Sequence, residues 1–64
     1  MATVDEKLKT AKSILREVLR ELQRVEAEAG IVDPWEEPDE IRLPYLRLLS
    51  RIDAVEDALA ALNR

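Results

Sequence analysis

Residues 4–29 read VDEKLKTAKSILREVLRELQRVEAEA, and apolar side chains recur through this stretch in alternating steps of four and three residues. This alternation is the heptad pattern of an α-helix that packs along one stripe. Ile14 at position g and Leu19 at position e widen the stripe, which favours contact with more than one neighbouring helix. The a positions are Leu8, Leu15, Leu22 and Ala29, and the d positions are Val4, Ala11, Val18 and Val25.

Both ends of this first helix carry recognisable signals. Thr3 followed by Glu6 is a capping box, in which the threonine hydroxyl accepts from the backbone of the third helical residue. Gly30 supplies the left-handed residue that commonly ends a helix, and Ile31 is then expected to fold back on Val25. The sequence therefore predicts a first helix at about residues 4–29.

A second heptad seam follows, broadened by Leu46 and Leu49. Pro44 is the expected first residue of this helix, which predicts a span of about 44–63. A helical turn that starts at Asp39 and bends at Pro44 is the open alternative. The seam consists of Tyr45, Leu48, Ile52, Val55, Leu59 and Leu62.

Residues 30–43 form the predicted linker between the helices. Asp33 as N-cap and Pro34 at the first helical position predict one helical turn, which Pro38 stops. Trp35 lies in this turn, and two interpretations apply to it. In the favoured one its ring covers the open end of the bundle, with Ile31, Val32 and Ile41.

In the other interpretation, Trp35, Glu36 and Glu37 form an acidic aromatic surface that binds a protein partner. The acidic setting is extended: residues 25–40 contain seven acidic residues and no basic one. Residues 1–24 are mildly basic, so an antiparallel pairing of two hairpins would place unlike charges together.

The expected fold is all-α: one antiparallel helical hairpin over residues 1–64 that pairs into a homodimeric four-helix bundle. A 64-residue chain without cysteine has no disulfide to support a small core, so packing and self-association remain. Two apolar seams this wide would stay partly exposed to water in a lone hairpin. The residues expected to carry self-association are Leu8, Leu15, Val18, Leu19, Leu22, Leu48, Leu49, Ile52, Val55 and Leu59.

Catalytic chemistry has little support in the composition. The chain lacks both histidine and cysteine, so Ser13 and Ser50 have no obvious activating base. We expect no enzyme activity, no cofactor and no metal. One alternative is a metal-dependent hydrolase or a designed bundle without a natural partner. The carboxylates considered for a metal are Glu17, Glu21, Asp53, Glu56 and Asp57.

The expected role is a structural or interaction module, such as an adaptor or small regulatory subunit. The alternative from another class is nucleic-acid binding through a basic ladder on helix 1, but the net charge of −4 opposes it. No apolar run is long enough for a bilayer and no leader pattern is visible, so we expect a cytoplasmic protein. The ladder consists of Lys12, Arg16, Arg20 and Arg24.

Overall fold

The computed structural model describes residues 3–64 and contains two long helices. Helix α1 spans Val4–Ala29, a short 3₁₀ turn spans Pro34–Glu36, and helix α2 spans Asp39–Leu62. The described part of the chain holds no strand, and α1 packs against α2 as a hairpin. The all-α prediction and the hairpin are confirmed, whereas the pairing of two hairpins stays a prediction.

The ends of α1 follow from local chemistry. The Thr3 hydroxyl oxygen accepts from the Glu6 backbone N–H at 3.1 Å, which satisfies one of the unpaired donors of the first turn. Gly30 ends the helix in the left-handed region at φ 64°, and its N–H donates to the Ala27 carbonyl at 3.3 Å. The chain therefore turns back toward α2 immediately after Ala29.

The linker is shorter than expected because α2 begins at Asp39 and not at Pro44. Pro38 takes the extended N-cap conformation, and its carbonyl accepts from the backbone N–H of Ile41 and of Arg42. Asp39 suits the positive end of the helix dipole and forms an ion pair with Arg42 one turn later. These first-turn contacts extend the helix through Pro44, the alternative that the sequence left open.

The linker itself contains the single helical turn that the sequence predicts. The Asp33 carboxylate accepts from the Trp35 backbone N–H at 3.0 Å, with Pro34 at the first position. The Glu37 N–H then donates to the Pro34 carbonyl at 3.2 Å, which closes the turn. The turn ends here because Pro38 follows, and a residue before proline avoids the α region.

The hairpin is a single layer of two helices, and this shape prevents a conventional core. Ile52, with 5% of its surface exposed, is the sole buried side chain among residues 3–64. The radius of gyration is 15.0 Å, against about 11 Å for a compact domain of this length. The accessible surface is 5255 Å², whereas a compact monomer of this mass would expose about 4,200 Å². The hairpin thus leaves roughly 1,000 Å² more surface in water than a compact fold would.

Gly30→Ala should destabilise the fold through the backbone alone. A methyl group at this position meets no atom within 4 Å, so the positive φ is the only source of strain. We expect a loss of about 1–2 kcal/mol in the free energy of unfolding, measured by urea denaturation. Gly30→Asn is the matched control and should lose less, because asparagine tolerates this conformation. An alanine variant as stable as the parent would contradict this description of the helix end.

Candidate self-association surface

The contact of α1 with α2 involves mainly a and e positions, although Leu8 and Ala29 at position a are exposed. Leu15, Leu19 and Leu22 are half-buried there, and Ile52 of α2 is the centre of the contact. Lys12 and Glu26, also at e positions, are half-buried. Their methylene stems can cover apolar surface while the charged ends stay in water.

Most of the residues expected to carry self-association lie within the hairpin's own contact. Ile52 is buried there and seven others are half-buried, whereas Leu8 and Val18 are exposed. Each helix therefore packs one flank of its apolar seam against the other helix. The seven half-buried residues are Leu15, Leu19, Leu22, Leu48, Leu49, Val55 and Leu59.

The d and g positions of α1, called here the d/g face, are exposed apart from half-buried Ala11. Ile14 is 54% exposed, Val18 40% and Val25 47%. They stand at spacings of four and seven residues, so they line one side of the helix over about 16 Å at 1.5 Å per residue. An aligned apolar stripe of this kind is typical of a surface that another helix covers.

A shallow cleft of about 430 Å³ joins the d/g face to the start of α2. Val25 and Ala29 line it from α1, and Ile41, Pro44 and Leu48 line it from α2. Ile41 itself is 47% exposed to solvent. The apolar surface thus continues across both helices near the linker and forms one side of the hairpin.

The tip of the linker differs from the favoured expectation. Trp35 is 72% exposed and Val32 is 98% exposed, so the prediction that the indole ring covers the open end of a core is wrong. A two-helix layer has no wide end to cover, and Ile31 beside it is half-buried. The Trp35 ring instead lies against the Arg42 guanidinium, 5.4 Å from the ring centroid.

The acidic residues beside Trp35 have different surroundings. Glu36 is exposed and Glu37 is half-buried. Arg42 contacts both the indole ring and the Asp39 carboxylate, so one basic group partly neutralises this acidic segment. The tip therefore presents a mixed aromatic and acidic surface to solvent.

The charged groups considered for other functions are spread over the outer surface of the hairpin. Arg16, Arg20 and Arg24 of the basic ladder are exposed, and Arg24 donates to the Glu21 carboxylate at 2.5 Å. Steps of four residues rotate slowly around a helix, so the ladder winds away from α2 and does not follow one face. Within residues 3–64 no group of three or more histidine, cysteine, aspartate or glutamate side chains is placed to hold a metal ion.

Comparisons with known proteins identify no relative of this chain. No protein-family model matches the chain, and no curated protein or solved structure is significantly similar to it. Neither described helix combines the length and the apolarity that a bilayer crossing requires.

The sequence predicts that Ile14 stays partly exposed in a lone hairpin, but it did not single out Val25 or Ile41 as surface residues. The heptad pattern placed Val25 in the seam and Ile14 beside it, but a seam does not specify which of its two flanks meets the second helix. The e row and the g row of α1 each carry one large aliphatic residue among charged ones, and the predicted self-association residues included Leu19 of the e row but not Ile14 of the g row. Only the packing of α2 distinguishes them.

Trp35→Ala should barely affect stability. We expect a loss of about 1 kcal/mol or less, since the ring contacts little beyond an exposed arginine. Ile52→Ala is the contrasting variant and should lose about 2–4 kcal/mol, because it removes the one buried side chain. Urea denaturation measures both. A loss of 3 kcal/mol or more for Trp35→Ala, the size typical of a core tryptophan, would contradict the exposed position.

Proposed function

We propose that this chain is a non-enzymatic self-association module, in which two hairpins pair through the d/g face into a four-helix bundle. The observation that carries the proposal is the aligned exposure of Ile14, Val18 and Val25 beside an apolar cleft. A second copy would supply the layer of side chains that these residues lack in a single hairpin.

The amount of uncovered surface supports one further hairpin as the partner. The excess of roughly 1,000 Å² over a compact monomer is close to the 800 Å² that each partner buries in an interface of standard size. Burial of this apolar surface is the dominant favourable term in association. A homodimer therefore accounts for the excess without any larger assembly.

The four-helix arrangement also suits the dimensions of the hairpin. The molecule measures 50 × 19 × 15 Å, and its shortest dimension is little more than the 10–12 Å diameter of one helix. Two such layers stacked face to face give a bundle about two helices deep, with a core between the layers. Within that bundle Val18, Val25 and Leu48 would become interior residues.

The tip is a second candidate contact surface, for a basic protein partner. The exposure of Trp35 at 72% favours it, since a large ring in water is a ready anchor. A basic amphipathic peptide, added at low salt to the dimer at fixed concentration, should shift the Trp35 emission to shorter wavelength. Unchanged emission at saturating peptide would argue against this second role.

Val18→Asp tests the self-association directly. Sedimentation equilibrium at micromolar concentration should give twice the mass of one chain for the parent. The aspartate variant should dimerise at least about 100-fold more weakly, because a carboxylate buried without a partner costs about 3–5 kcal/mol and each 1.4 kcal/mol is tenfold. Its helicity is a second readout: because unfolding is coupled to dissociation, the variant should lose helicity at concentrations at which the parent keeps it.

Val32→Asp is the matched control for the added charge. Val32 lies off the d/g face in the linker and is almost fully exposed, so this variant should dimerise as the parent does. A parent chain that sediments as a monomer with full helicity would overturn the proposed function. Equal weakening by both variants would show that net charge, and not the d/g face, controls association.

A further inference from the structure

The g row of α1 changes sign along the helix. From the open end of the hairpin to the linker end it reads Lys7, Ile14, Glu21 and Glu28, and all four side chains are exposed on the d/g face. Glu21 is paired with Arg24 of its own helix. Within residues 3–64 neither Lys7 nor Glu28 takes part in an ion pair.

The hairpin as a whole is also polarised along its length. The linker half, residues 17–49, carries nine acidic residues and four arginines, a net charge of −5. The open half, residues 1–16 with 50–64, carries six basic and five acidic residues, a net charge of +1. Two copies stacked in the same direction would place the two −5 halves together, whereas opposite directions place −5 beside +1. Coulomb repulsion therefore favours the antiparallel stack.

The apolar row is compatible with the antiparallel direction. A twofold axis crossing α1 near residues 17 and 18 places Val18 beside the Val18 of the second copy. The same axis places Ala11 near Val25, a small residue against a larger one, so the layers interdigitate. Lys7 and Glu28 are equally far from this axis, and they lie at opposite ends of the same row.

We propose that the second copy binds antiparallel, with α1 against α1 across this axis, and that the Lys7 ammonium of each copy pairs with the Glu28 carboxylate of the other. This inference rests on the proposed self-association and specifies its orientation and its charge contacts. By symmetry the pair occurs twice in the dimer. The two ion pairs select direction, while the apolar d/g face supplies most of the affinity.

Charge reversal tests the pairing. Lys7→Glu and Glu28→Lys, each alone, should weaken dimerisation on the order of tenfold at low salt, because each turns two attractive pairs into repulsive ones. The double variant and an equimolar mixture of the two single variants should both recover the parent's dissociation constant. Sedimentation equilibrium measures all five samples.

The substitutions should not unfold the helix, because each new charge suits the end of the helix dipole near which it lies. Lys7→Glu adds an acidic group near the positive end of the α1 dipole, and Glu28→Lys adds a basic group near its negative end. Both changes favour the helix, so circular dichroism at matched monomer fraction should show no loss of helicity. Lys9→Glu, which makes the same charge change at position b, is the matched control and should stay within about twofold of the parent.

Cysteine crosslinking gives an independent measure of direction, because the natural chain contains no cysteine. In a Val18→Cys dimer, the new cysteine of one copy should form a disulfide with the same cysteine of the other copy. Ala11→Cys should crosslink to Val25→Cys in a mixture, and neither should crosslink to itself, since a disulfide needs Cα atoms within about 7 Å.

The outcomes separate this inference from the proposed function. If neither charge reversal weakens dimerisation, or if Val25→Cys crosslinks to itself, the antiparallel pairing is overturned while self-association stands. A parent chain that remains monomeric throughout would overturn both.

Discussion

A single layer of two helices cannot enclose a side chain on all sides, and every other feature of this hairpin follows from that constraint. Each helix has one flank against its neighbour and the opposite flank in water, so only Ile52, at the centre of the contact, is buried among residues 3–64. The wide seam of α1 is consequently divided. Its a/e side contacts α2, and its d/g side is exposed to solvent.

Much of the fold could be predicted because it depends on local interactions. The Thr3 cap, the left-handed Gly30 and the Asp33 turn each involve groups within a few residues of one another, and their residue types have few other uses. The start of α2 was harder. A proline usually marks the first turn, yet here Pro44 lies inside the helix because Pro38 and the Asp39–Arg42 ion pair begin it earlier.

The candidate surface could be predicted only in part, because its location depends on a choice between two similar flanks. Leu19 in the e row and Ile14 in the g row are equivalent in a helical projection, and only the position of α2 shows which becomes buried. Trp35 was misplaced for a related reason. Large rings in small proteins are usually buried, but a layer one helix thick has no pocket that could take an indole.

Whether the hairpin needs a second copy can be measured from how its stability depends on protein concentration. If the hairpin depends on a second copy to cover its d/g face, unfolding is coupled to dissociation and the melting temperature must rise with protein concentration. Thermal unfolding followed by circular dichroism over a hundredfold range of concentration should show this rise. A melting temperature that stays constant over the whole range, with cooperative unfolding, would show that one hairpin is sufficient by itself.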